Sequence, residues 1–217
     1  MADNNNNNNA TSKPSYTLHV YYTRYSSWGA RVQLVLAHFE IPHTVRYYNF
    51  TDPALAAPAG LQTLPVLDVA VPDSPPLRVA DSLAICEFLA EQQQQQQQHH
   101  QDGRPLWPRD AHLRALARAA AARMHSGFAA LRAACPSNFV ARFAGPGLPA
   151  RLPAAAAEDV RRLGELWGGL RAVARERLAL LGEADEGFLC GAFSIADAFF
   201  WPVLWTMNGR HRFPAAF

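Results

Sequence analysis

The chain has 217 residues, of which 49% are hydrophobic, and a formal charge of +2 at pH 7. That is enough apolar material for a sizeable core in one large domain or two small ones. It is too little positive charge to point to nucleic acid, and the arginines are spread along helical segments as solvated faces. No apolar run approaches the roughly 20 residues that span a bilayer. Met1-Ala2-Asp3 and the Asn4 to Asn9 tract lack the basic and apolar regions of a secretory signal, so a cytoplasmic protein without membrane association is expected. Cys86, Cys135 and Cys190 are odd in number and show no CxxC spacing, which argues against a disulfide framework or a zinc site and for reduced thiols. His99 and His100 make no defined metal site.

Residues 1–15 form an Asn-rich tail with nothing to offset the entropy of ordering, and are expected to be disordered. Leu18, Val20 and Tyr22 then alternate with Thr17, His19 and Tyr21, the period of a strand. Val32, Val35, Leu36 and Phe39 follow at helical spacing, and this helix ends before Ile41-Pro42. Thr44 to Tyr48 is a second strand, so the first three elements make a βαβ unit with parallel strands. Thr51 to Leu61, rich in Ala and Pro, is a loop or short irregular helix. Val66 to Val69 and Leu77 to Val79 are brief strands around the Pro72-Asp73-Ser74-Pro75-Pro76 turn, and Ser82 opens a helix with Ile85, Phe88 and Leu89 on one face.

The Gln92 to Gln98 tract is either disordered or a marginal extension of that helix into a linker, taken as residues 92–104. Beyond it the pattern is wholly helical. Leu113, Leu116, Ala120, Met124, Phe128 and Leu131 predict one long helix, and Val160, Leu163, Trp167, Leu170 and Val173 another. A last helix begins at Phe193-Ser194-Ile195-Ala196-Asp197, where Ser194 and Asp197 have capping-box spacing, and Pro202 is expected to kink it.

Three segments stand at junctions of these elements: Tyr25-Ser26-Ser27-Trp28, Thr63-Leu64-Pro65-Val66-Leu67 and Val79-Ala80-Asp81-Ser82. Singly, a serine or an Asp-Ser pair before an apolar helix is a cap, and a proline before an apolar run starts a strand. In this order, across a βαβ-ββα unit followed by helices, they resemble the cytosolic glutathione transferase family over nearly all of Tyr16 to Thr206. The serine-type members, including the zeta-like branch, are similar: their loop has Ser-Ser-Cys before Arg-Val, where this chain has Ser26-Ser27-Trp28 before Arg31-Val32. Met124-His125-Ser126-Gly127-Phe128 to Cys135-Pro136 is similar to a stretch of bacterial transferases with a Tyr-Ser-Ser-Trp loop, and Phe193 to Val203 to the family's final capping-box helix.

The resemblance implies an α/β thioredoxin-like domain at residues 16–91, an all-α domain at 105–217, glutathione as co-substrate, and a cytoplasmic homodimer with a detoxifying role. A thiol with a pKa near 8.5 is mostly protonated at neutral pH, and only its thiolate attacks well. A hydroxyl at a helix N-terminus, donating to the sulfur beside the helix dipole, could supply the roughly 2.7 kcal/mol that a two-unit drop in pKa requires. Ser26 is the candidate catalytic donor, with Ser27 the alternative, either as donor or as the cap of the helix. The resemblance further implies a cis Pro65 that turns the backbone of Leu64 toward the cysteinyl part of glutathione, and an Asp81-Ser82 pair that holds the γ-glutamyl ammonium and carboxylate. Ser27, Trp28 and Gln62 complete the implied glutathione contacts.

The electrophile is expected between the domains, against the first long helix of the second, where Met124, His125 and Phe128 are either ligand contacts or core. Two other functions stay open: a zeta-like glutathione-dependent cis-trans isomerase of the maleylacetoacetate type, against which Trp28 in place of Cys argues, and a non-catalytic scaffold. Family members continue for one or more helices past the capping-box helix, so with the last residue at Phe217 the C-terminal domain reads as truncated.

Overall fold

A computed structural model of the chain describes residues 14–22, 26–61, 63–72, 74–99, 103–135, 137, 139 and 152–208. Strand β1 (Ser15–Tyr21) leads through helix α1 (Ser27–His38) to β2 (Thr44–Tyr48), which pairs with β1 in parallel, Thr17 opposite Thr44. After one tight helical turn at Pro53–Leu55 the chain returns as β3 (Val66–Ala70), antiparallel to β1, and β4 (Leu77–Ala80), antiparallel to β3. The four-stranded mixed sheet therefore runs β2-β1-β3-β4. Helix α2 (Ser82–His99) follows it. This is a thioredoxin-like unit, and all the described elements beyond it are helical: α3 (Ala111–Ser126), α4 (Ala129–Ala134), α5 (Ala154–Leu181) and α6 (Ile195–Asn208). The Asn4 to Asn9 tract and the segment after Asn208 lie outside the described residues.

Periodicity accounts for most of this. Leu18 and Val20 of β1 are fully buried beneath Val32, Val35 and Leu36 of α1. The opposite face of the sheet carries a polar row beside the small apolar cluster of Val66 with Leu61 and Leu64. There His19 places Nδ1 2.8 Å from the Tyr48 hydroxyl and Nε2 3.0 Å from Asp68, which also accepts two hydrogen bonds from Arg78. Each strand thus contributes one member to a polar row across the sheet.

At Gly29 helix α1 packs closely on the sheet, since a Cβ there would lie 2.9 Å from Val20 Cγ1 and 3.4 Å from Ser26 Oγ. Gly29→Val is expected to cost about 1–3 kcal/mol by overpacking. The check is the urea midpoint, and an unchanged midpoint would mean that the helix can ride outward freely.

Two sequence expectations change in the helical half. The single helix predicted from Leu113 to Leu131 is broken. Gly127 ends α3, its amide donating to the Arg123 carbonyl, and Phe128 takes a left-handed conformation (φ 55°) before α4 begins. A Cβ at Gly127 would fall 2.7 Å from the Arg123 carbonyl oxygen, so the turn needs glycine. Helix α4 has no cap of its own; its Leu131 amide donates instead to Asp159 of α5, at 3.0 Å. The Gln tract, for its part, takes the helical alternative: α2 continues through Gln98 to His99, in keeping with the fair helix propensity of glutamine.

Buried side chains from both halves form one continuous apolar cluster, which joins Val32 and Ile85 to Met124, Leu163 and Phe199. Among the described residues no helix is long and apolar enough to cross a membrane.

Candidate active site

The start of α1 is built by Ser26. Its Oγ accepts from the Gly29 amide at 3.3 Å, and its extended backbone (φ −114°, ψ 96°) is that of an N-cap, so the capping role falls to Ser26 and Ser27 is the first helical residue. The Ser27 hydroxyl accepts instead from Arg31 Nη1 at 3.4 Å. Both oxygens act as acceptors within the helix turn, and among the described residues neither hydroxyl hydrogen has an acceptor. Both serines can therefore donate outward, beside the positive end of a helix dipole.

They face a cavity of about 450 Å³ between the two halves of the chain. From the first half its wall includes Trp28, Arg31, Phe50, Thr63 and Leu64; from the second, Leu131 and Arg132 of α4, and Pro202 and Val203 of α6. The Leu64–Pro65 peptide bond is cis. Leu64 belongs to a small apolar cluster with Leu61 and Val66, while Pro65 is buried and does not line the cavity. Gln62 lies outside the described residues.

Asp81 and Ser82 stand apart from this cavity, at the start of α2. Asp81, rather than Ser82, caps that helix: its Oδ1 accepts from the Leu83 amide at 2.8 Å and the Ala84 amide at 3.2 Å. It does so with φ 78°, a left-handed conformation that aspartate tolerates better than most residues. Its second oxygen lies 3.1 Å from His125 Nε2, at the end of α3. His125 in turn meets the Trp28 ring edge-on at 5.2 Å between centroids, so Trp28 and His125 connect the cavity wall to the helix start. Ser82 is buried, and its hydroxyl has no partner among the described residues.

Of the three residues offered for the electrophile, none lines the cavity. Met124 is fully buried and Phe128 nearly so, which is core packing, and His125 serves Asp81. Residues of α4 and α6 line the cavity instead. The reason is the break at Gly127-Phe128, which turns the chain so that Leu131 and Arg132 reach the cavity.

Sequence reasoning missed the two cavity arginines. Arg31 is 1% exposed and donates from Nε to the Phe199 carbonyl of α6 at 3.0 Å, tying the two halves together. Burial, helped by repulsion from Arg132, lowers its pKa to about 9. The hints in the sequence were the Arg31-Val32 pair that follows the serine loop and the setting of Arg31 among Ala30, Val32, Val35 and Leu36 on the apolar side of its helix. Cys135 also lines the cavity, where burial raises its thiol pKa and keeps it protonated at neutral pH. Cys190 is pushed up to about 12, again chiefly by burial.

Residues 25–92 match the family model described as "Glutathione S-transferase, N-terminal domain". A curated relative, pyrimidodiazepine synthase of Drosophila melanogaster, is 36% identical over 95 residues, 43% of this chain and only 35% of the relative's own length. Among solved structures, glutathione transferase Omega 2S from Trametes versicolor superposes with TM-score 0.59 at 20% identity, over 91% of this chain and 72% of that one. Maleylacetoacetate isomerase from Anaeromyxobacter dehalogenans, crystallised with dicarboxyethyl glutathione and citrate in its active site, gives TM-score 0.55 at 24% identity, over 92% and 80%. At these identities the structures speak to the fold, and the family match speaks to the first half. Residues 25–92 are therefore similar to the N-terminal domain of glutathione transferases, and the fold of the chain is that of the solved transferases.

Proposed function

We propose that this chain is an enzyme that binds glutathione and stabilises its thiolate for attack on an electrophilic small molecule. Residues 16–91 would hold the tripeptide, and the helical half, after the 92–104 linker, would contribute the far wall of the electrophile's cavity. The observation that carries the reading is the pair of serines at the start of α1, whose oxygens accept within the helix while their hydrogens are left for a partner in the cavity. A sulfur there would take a hydrogen bond from Ser26, with Ser27 as the second candidate. Arg31 strengthens Ser27 as a donor by polarising its hydroxyl. Leu64 would pair with the cysteinyl backbone, and Asp81 with Ser82 would take the γ-glutamyl end, where the unpartnered Ser82 hydroxyl gains an acceptor.

Calorimetry and thiolate absorbance test this together. The wild type is expected to bind glutathione and to lower its thiol pKa. Ser26→Ala is expected to bind it nearly as well while raising the bound thiol pKa by about one unit, the worth of one hydrogen bond to a charged group. The same effect in Ser27→Ala, and none in Ser26→Ala, would transfer the donor role to Ser27. A folded wild type that binds no glutathione would leave a transferase-like scaffold as the reading.

A further inference from the structure

Two arginines from different halves of the chain line one cavity, and among the described residues no carboxylate answers either of them. Arg31 of α1 and Arg132 of α4 stand over the same indole, their guanidinium carbons 4.3 Å and 5.4 Å from the centroid of the Trp28 ring. Their described hydrogen-bond partners are all neutral. Arg31 donates to the Phe199 carbonyl and the Ser27 hydroxyl, and Arg132 to the carbonyls of Met124 and His125, at 3.1 Å and 3.3 Å. Among the described residues the arginine ion pairs are made elsewhere, by Arg78, Arg118, Arg161, Arg162, Arg171 and Arg177.

A buried cation without an acid is costly, and a second cation beside it adds repulsion. The indole face offsets part of that cost. Burial first, and repulsion from Arg132 after it, already weaken the hold of Arg31 on its proton. Neither Arg31 nor Arg132 is among those six, so in this cavity a carboxylate is left for a ligand to supply. A guanidinium that keeps spare N–H donors in a cavity recognises a planar oxyanion better than any neutral group.

We infer that the electrophile is an organic acid, whose carboxylate is held by Arg31 and Arg132 beside Trp28 while its apolar part meets Leu131, Pro202 and Val203. The assignment to the electrophile rests on the glutathione reading given above; the anion site itself does not.

The test compares 4-nitrobenzoate with 4-nitrobenzamide, a charged and a neutral probe of nearly the same shape, by calorimetric titration without glutathione. The wild type is expected to bind the acid at least about tenfold more tightly, the worth of one charged contact. Arg132→Gln is expected to bring the ratio to about one, whereas the exposed Arg161→Gln keeps it. Arg132 is the position chosen because Arg31 is buried, where substitution would confound binding with folding; thermal melting confirms that Arg132→Gln folds. Equal binding of the two probes by the wild type, or an undiminished preference in Arg132→Gln, overturns the inference. Repeating the titration with saturating glutathione separates the two sources of a carboxylate. Persistence of the preference supports the electrophile, and competition assigns the site to the tripeptide's own carboxylate and overturns the inference. A wild type that prefers the acid but binds no glutathione would sink the transferase reading and leave the anion site standing.

Discussion

Replacing Asp197 by alanine is expected to destabilise the chain by about 3 kcal/mol or more, among the largest effects of any single substitution. The carboxylate is 8% exposed and accepts three hydrogen bonds: from the Leu189 amide at 2.9 Å, the Ser194 amide at 2.9 Å and the Ser194 hydroxyl at 3.0 Å. Burial raises its pKa, and those bonds work in the opposite direction. Alanine would strand all three donors, the two of Ser194 in a buried place and that of Leu189 in a half-buried one. Helix α6 would lose its start, and with it the Phe199 carbonyl that receives Arg31 and the Pro202–Val203 wall of the cavity. The measurement is urea unfolding, with a lower midpoint at an unchanged slope as the expected result. A loss below about 1 kcal/mol would mean that the donors find other partners. The Asp197→Asn variant is expected to fall between wild type and Asp197→Ala, since its amide keeps one oxygen but turns a donor toward Ser194.

The second large effect concerns binding. Asp81→Asn is expected to weaken glutathione binding about a hundredfold, roughly 2.7 kcal/mol, while changing stability by under about 0.5 kcal/mol. Asparagine keeps an oxygen for the Leu83 and Ala84 amides and is at ease at φ 78°, so the cap survives and only the charge is removed. Asp81→Ala is the less informative change, because losing the cap costs about 1 kcal/mol by itself and confounds binding with folding. Calorimetry with glutathione on wild type and Asp81→Asn decides the matter. Equal affinities would confine Asp81 to capping α2 and to its contact with His125, and the γ-glutamyl end would need another partner.

The strand half could be read from its sequence because its information is local. The alternation from Thr17 to Tyr22 marks β1, Thr44 to Tyr48 reads as a strand with the bounds that β2 has, and the i, i+3, i+4, i+7 run from Val32 marks α1. What failed was continuity. The apolar spacing from Leu113 to Leu131 persists through a helix break, since Met124 and Leu131 are buried on either side of a turn that one glycine and one left-handed residue create. Nothing within that segment announces that its cap is Asp159, 28 positions from Leu131.

The serines, the Leu64-Pro65 corner and the Asp81-Ser82 pair are short-range features, and the sequence by itself determined where helices α1 and α2 begin, while the structure decided that Ser26 and not Ser27 caps the first and Asp81 and not Ser82 the second. Which of them share a cavity was decided only in three dimensions: Ser26, Ser27, Trp28 and Leu64 do, whereas Pro65, Asp81 and Ser82 do not. The same holds for the cavity's charge. Arg31 and Arg132 belong to different halves of the chain, and spacing along it says nothing about two cations on one indole. Periodicity reports which face of an element is buried; what that face is buried against depends on how α1, α4 and α6 pack, and packing is a property of the whole chain.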